Sequence, residues 1–284
     1  MRAATERTPD SRQQERPDWR DQSALSGEPH IRVRYFLVFW LFILSGVAFL
    51  DRTNISITGL QISREYNIGN QQLGWVFSAF LIGYAVFQVP AGWLAAHFGP
   101  RRVLTLGVLS WCAATALTAM LPTQISQALL LLIGIRLALG AGESVIYPAA
   151  NQFVARWVPL NERGVINGVI LAGVGAGSGL TPPLLTWLIT HQGWRAAFWF
   201  SAVVGLAVSL VWWQTSRDTP EEHPAVSVAE LREIHECLPY LPAAPAVPRA
   251  PVISWRAILH RRDLAALMAG YFSFGYIAWI FFSW

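Results

Sequence analysis

Six long blocks of nearly uninterrupted apolar residues leave this chain few ways to fold. Each block approaches the roughly 20 residues that a helix needs to cross the hydrocarbon of a bilayer. The strands of a transmembrane barrel would be about half as long and would alternate apolar with polar residues, which excludes a β-barrel. Composition agrees: 54% of the residues are hydrophobic and 13% charged, against about 25% charged in a soluble domain. The fold class predicted is an all-α membrane protein.

The blocks place helices at about Val33 to Leu60, Gln72 to Phe98, Val103 to Leu121, Ser126 to Gln152, Gly164 to Thr190 and Trp194 to Gln214, with a seventh from Asp263 into the chain end. The polar stretch QISREYNIGN reads as the first loop. Gly99-Pro100, Pro122 and Gln192-Gly193 mark tight turns, so consecutive helices are neighbours. Residues 1–31 mix both charge signs without an apolar run, which excludes a cleaved signal peptide and reads as a disordered cytoplasmic tail. Residues 32–215 form the six-helix bundle, 216–262 a cytoplasmic linker with an amphipathic stretch at Val228 to Cys237, and 263–284 the start of a second, truncated bundle. The other reading is a complete seven-span protein.

The net charge of +4 forms no continuous stripe, which argues against nucleic acid. The chain has no lysine, and its arginines sort by loop. Arg32, Arg34, Arg101, Arg102, Arg156, Arg163 and Arg217 fall on one side, and Arg64 with Arg195 on the other. The positive-inside rule makes the N-terminus cytoplasmic. Cys112 and Cys237 have neither disulfide nor metal-ligand spacing, and HExxH, GxSxG and clustered His and Cys are absent, so no cofactor, metal or catalytic residue is indicated. High Ala and Arg without Lys suit a bacterial inner membrane.

A charge at the bilayer centre costs on the order of 2.5 to 3.5 kcal/mol on the insertion scale. Asp51 and Arg52 in the first span, and Arg136 and Glu143 in the fourth, therefore need partners or a task. Arg136 and Glu143 are seven residues apart, on one helix face. In a carrier built from three-helix repeats, the first and fourth helices are equivalent and line a central cavity. A carboxylate paired with an arginine has a second state, in which a proton neutralises the acid and the arginine is free for an anion. On this logic Asp51 and Glu143 are candidate proton carriers, and Arg52 and Arg136 candidate clamps for an organic carboxylate, whose shape fits a guanidinium fork. The competing reading is a static ion-pair network joining the two helices.

Tyr84 and Gln88 on the second span, and Tyr147 and Asn151 on the fourth, add candidate substrate-binding groups at one-turn spacing. Gly173, Gly175, Gly177 and Gly179 make two overlapping GxxxG patterns that predict close helix contact, followed by a kink at Pro182 and Pro183. Gly140 and Gly142 predict another close approach beside Glu143. Trp75, Trp157 and Trp194 at span ends read as interfacial anchors. The sequon at Asn54 is a chance match within a span.

The ordered motifs LDRTNIS at 50–56, QLGWVFSAFLIGYAVFQVPAGWL from Gln72, GPRR at 99–102, RLALGAGES from Arg136, YPAANQFVARWVPLNERG from Tyr147, TPPLLTWL from Thr181 and GWRAAFWF from Gly193 resemble the major facilitator superfamily. Within it they resemble the anion:cation symporter family, over about Arg34 to Trp212. The resemblance implies the six-helix N-terminal bundle of a twelve-helix fold and proton symport of an organic anion such as a sugar acid or aromatic acid, by alternating access. Its partners would be a small organic anion, a proton, the bilayer and the missing C-terminal half. The alternative is a truncated, transport-inactive membrane fragment. The resemblance also implies proton uptake at Asp51 and Glu143 and carboxylate binding at Arg52, with Arg136 the fourth-helix arginine. Gating residues would be Gly92, Gly99, Arg101 and Arg102, although Ala96 and His97 stand where the superfamily has Asp-Arg. Phe49 replaces a tyrosine common two residues before the first-helix aspartate.

Overall fold

A computed structural model of the chain describes residues 32–123, 127–236 and 261–283. Nine α-helices lie within them: α1 (Val33–Glu65), α2 (Asn70–Phe98), α3 (Pro100–Met120), α4 (Ala128–Glu143), α5 (Ile146–Trp157), α6 (Arg163–Gln192), α7 (Trp194–Thr215), α8 (Val228–Glu236) and α9 (Arg262–Ser283). The described residues contain six segments long and apolar enough to span a bilayer: α1, α2, α3, α4 with α5, α6 and α7. The chain divides after Pro239 into two units, and α9 is a single 22-residue helix of the second. The expected tail at residues 1–31, Ser126 and Cys237 lie outside the described residues.

Two boundaries depart from the sequence expectation. The first helix runs to Glu65 and absorbs half of the polar stretch, because Arg64 and Glu65 lie on its last turn and the chain turns only at Asn67, the one described non-glycine residue with positive φ (51°). The fourth span is two helices rather than one. Pro148, near the start of α5, has no amide hydrogen to donate one turn back, so the ladder breaks at Ser144 and Val145, directly after Glu143. By contrast, α6 runs as a single helix through Pro182 and Pro183, and α2 through Pro90.

In the first unit α1 packs against α6, α2 against α4, and α3 against both α7 and α4, while α1 also meets α7. Exchanging the first three spans with the last three maps this pattern onto itself. The arrangement is that of two three-helix repeats, with α1 and the α4–α5 span in equivalent places.

Glycine sets two close helix approaches. A methyl group on Gly140 would strike the Phe80 carbonyl of α2, and one on Gly177 would come within 2.6 Å of the Gly46 carbonyl of α1. Gly173 meets Phe42 in the same way, whereas Gly175 and Gly179 face open space. Only one of the two GxxxG patterns is therefore a helix contact. The tryptophans also divide: Trp75 is exposed, but Trp157 and Trp194 are buried and act in the core rather than as anchors. Trp157 stacks on Phe153, 5.2 Å away, and the Trp194 indole donates to Glu65. Asn54 is fully buried and donates to Ser201 of α7, as expected for a chance sequon.

At the end of the bundle where α1, α3 and α6 begin, the segment after α7 folds back. The first amides of a helix have no partner within it. Glu230 of α8 accepts from the amides of Val33 (3.2 Å) and Arg34 (3.0 Å), capping α1. Glu233 pairs with Arg32 (2.8 Å) and Arg34 (3.0 Å), and Glu162 with Arg34 (3.3 Å). Arg34, counted in the sequence as a loop charge, has a fully buried side chain. Partial burial works against ionisation of Glu233, yet the hydrogen bond from Arg34 and the charges of Arg34 and Arg32 hold its carboxyl below the ordinary value.

Two outcomes follow. G173A and G177A should each lower the melting temperature of the purified protein, since overpacking a close contact costs about 1 to 3 kcal/mol, while G175A and G179A leave it unchanged. Because Glu233 titrates lower in the folded protein, its contribution is present above the usual carboxylate value of about 4.3 and fades as pH falls through its lower folded value. Hydrogen exchange at residues 228–236, corrected for intrinsic rates, should thus be slow at pH 6 and fast at pH 3. E233Q should be fast already at pH 6.

Candidate functional site

The four intramembrane charges lie on α1 and α4, and one pair of them, Arg52 and Glu143, bridges the two helices. Glu143 is the last residue of α4, fully buried at the helix break, and it accepts a 2.9 Å hydrogen bond from Arg52 Nε of α1. The Arg52 side chain is 19% exposed, and that of its partner 0%. Its guanidinium lies 4.6 Å from the centre of the Tyr84 ring and 5.5 Å from that of Phe80. The close backbone approach at Gly140 explains this, because it sets Phe80 and Tyr84 of α2 directly against α4.

Asp51 points elsewhere. Successive helix residues differ by about 100° in direction, and the Asp51 carboxylate is buried, where it accepts a 3.2 Å hydrogen bond from Thr115 of α3. Arg136 is also buried, with the Phe80 ring 5.5 Å from its guanidinium. No ion pair within 4.0 Å joins Arg136 to Asp51 or Glu143 among the described residues, and Arg136 Nε and Nη1 have no hydrogen-bond partner there. Two acids and two bases make the cluster formally neutral. Of the four, Arg52 alone is partly open. Arg136 is thus more deeply buried than Arg52.

Among the other candidates, the Tyr147 hydroxyl on α5 is 3.2 Å from that of Ser45 on α1. Gln88 and Asn151 lie one turn beyond Tyr84 and Tyr147, and neither hydrogen-bonds to the cluster. Asn151 is exposed and Gln88 partly buried. Phe49 stands on α1 one turn before Thr53, whose hydroxyl bonds back to the Phe49 carbonyl. Sequence reasoning missed Thr115, Ser45 and Phe80: a hydroxyl or a phenyl ring in an apolar span raises no alarm, and only the fold brings them to the charges.

The gating candidates form a separate group at the far end of α2. Gly92 lies 3.7 Å from Pro148 of α5, measured from where its side chain would begin. Gly99, at φ 90°, joins α2 to α3, and its Cα faces the Asp218 carboxylate with no room for a side chain. Asp218 accepts a 2.9 Å hydrogen bond from the Arg101 amide and so caps α3. The Arg101 guanidinium donates to the Trp213 carbonyl and lies 4.0 Å from the centre of its ring. Arg102 is exposed. Ala96 and His97 are exposed too, and the His97 ring packs 4.4 Å from Trp93. An acid therefore does meet this turn, but it comes from the segment after α7. The described residues hold no cluster of three or more metal-ligating side chains.

Comparison with known proteins places these features in a family. Residues 41–284 match the profile of the Major Facilitator Superfamily. The chain is 31% identical over 254 residues to a probable sulfoacetate transporter, SauU, of Cupriavidus necator, covering 89% of this chain and 56% of that protein. It is 28% identical to a probable galactarate/D-glucarate transporter, GarP, of Escherichia coli, covering 89% and 59%. It is also 28% identical to probable anion transporter 5 of Arabidopsis thaliana, covering 90% and 57%. The chain thus spans little more than half the length of these relatives. The crystal structure of a bacterial homologue of the human lysosomal transporter Spinster, inward-facing and unoccupied, shares the fold at 21% identity with a TM-score of 0.56, over 72% of this chain and 47% of that one. From the helix arrangement and these matches together, the chain is a multi-pass membrane protein that belongs to the Major Facilitator Superfamily.

Proposed function

We propose that this chain is part of a secondary carrier that moves a small organic anion across a membrane by proton symport and alternating access. The observation that carries the reading is the Arg52–Glu143 pair: a guanidinium, open on one side, held by a carboxylate that is fully buried on another helix. Burying two charges costs several kcal/mol per ion and is recovered only with close geometry. In this reading a proton on Glu143 removes the charge that holds Arg52, and the guanidinium turns to the carboxylate of the incoming anion, with the Tyr84 ring as its support. Deprotonation and anion release restore the pair. Arg136, the second candidate clamp, is more deeply buried than Arg52 and balances the charge of the two acids.

Tyr147 and Asn151 on α5, and Gln88 on α2, would supply hydrogen bonds to hydroxyl groups of the anion. Gly92, Gly99, Arg101 and Arg102 would serve the gate at the end where α3 begins. The path needs a second helical bundle facing α1, α2 and α5. The names of the relatives, sulfoacetate and galactarate/D-glucarate transporters, suggest a substrate with two anionic groups. The arginine bias of the loops supports a cytoplasmic N-terminus, and the composition supports a bacterial inner membrane.

The test is uptake of labelled galactarate, D-glucarate and sulfoacetate by the full-length carrier in proteoliposomes, with and without an inward proton gradient. The gradient should accelerate uptake of at least one anion. E143Q and D51N should abolish the acceleration, and R52K should raise KM at least tenfold, since loss of a charge-assisted bond costs about 1.5 to 3 kcal/mol. Undiminished acceleration in all three variants would return these charges to a static ion-pair role.

A further inference from the structure

The Asp51 carboxylate receives its hydrogen bond from a helix that contributes nothing else to the charge cluster. In α3 the hydroxyls of Thr105, Ser110 and Thr118 all bond back to carbonyls of α3 itself, at Arg101, Gly107 and Ala114. That is the usual fate of a hydroxyl within a helix. Thr115 departs from it: its hydroxyl crosses to α1 and donates to Asp51 Oδ1 at 3.2 Å, with both residues buried. We propose that Thr115 is a positioning residue for the Asp51 proton site, holding the carboxyl against α3 and setting how readily it takes up a proton.

The chemistry suits the task. A threonine hydroxyl can donate to a carboxylate and can accept from the protonated acid, whereas an arginine only donates. The hydroxyl is held by this bond to Asp51 rather than by a carbonyl of α3. The site can gain or lose a proton with no helix moving. A bond to the ionised form is the stronger of the two, so removing the hydroxyl disfavours the carboxylate.

Other groups that face Asp51 are few. Arg136 and Glu143 lie on α4, and the Cys112 thiol one turn before Thr115, against Gly205 of α7, while Arg52 on its own helix is turned to Glu143. Titratable side chains on the remaining packed helices are engaged away from it: Arg163 with carbonyls of Ala155 and Val158, His191 with the Trp187 carbonyl, Arg195 with Glu65, and Tyr147 with Ser45. Tyr84 lies beneath Arg52.

This inference deepens the proposed proton coupling and rests on it, but its test needs no substrate. Infrared difference spectra of the purified full-length carrier in lipid films would be recorded from pH 4 to 10, with the carboxylic C=O band that D51N removes assigned to Asp51. In T115V that band should move to higher wavenumber, as for a less hydrogen-bonded acid. Its pH midpoint should rise by about one unit, a tenfold change in proton affinity. T115S should restore both, and T118V should change neither. If T115V does not fold, T115A takes its place with the same expectations. An Asp51 band unchanged in position and midpoint without the hydroxyl, or no band sensitive to D51N, would overturn the assignment. Because the band titrates whether or not any anion is carried, failure of uptake and failure of the Thr115 assignment are separate results.

Discussion

The ion pair between Arg52 and Glu143 is the constraint around which the membrane body is arranged. In a soluble protein such a pair could lean on water on every side, but among apolar helices most of its neighbours are other parts of the chain. The Tyr84 and Phe80 rings lie beside the guanidinium, and Asp51 and Arg136 complete a neutral set in which each helix brings one acid and one base. Packing then follows chemistry. Gly140 must be small because α2 approaches α4 closely enough to bring those rings to Arg52, and the break that Pro148 makes in the fourth span leaves Glu143 at the end of α4.

Much of this was legible in the sequence, for one reason: in a bilayer a charge is costly, so each intramembrane charge is a strong signal. Asp51, Arg52, Arg136 and Glu143 stood out at once, and the repeat logic placed their two helices together. Helix periodicity also told that Arg136 and Glu143 share a face, but not that both are more deeply buried than Arg52. Which side of a span meets lipid, cavity or another helix is decided by the neighbours, and hydrophobicity alone looks the same toward lipid and toward protein. The same ambiguity hid the burial of Trp157 and Trp194 and split the glycines of α6 into two that touch α1 and two that do not.

Polar contacts made through the backbone were the least legible. Glu230 and Asp218 look in sequence like ordinary charges of a hydrophilic segment. Their partners are helix-terminal amides, which carry no residue identity. Helix ends advertise a cap only when it lies beside them in the chain. Here the capping carboxylates lie far away: 197 residues separate Glu230 from Val33, and 117 separate Asp218 from Arg101.

That separation imposes an order on assembly. A ribosome adds about 5 to 20 residues per second, so α1 leaves it with its first turn uncapped and stays so for on the order of 10 to 40 seconds, until Glu230 has been made. During that interval Arg34 lacks Glu233 as well. The start of α1 is thus finished late, by a segment made after the six spans of the described residues. Release of the early helices from the insertion machinery before α8 exists would leave their ends open to water and to other chains. The bundle is sealed from its C-terminal side, as a purse is by its drawstring.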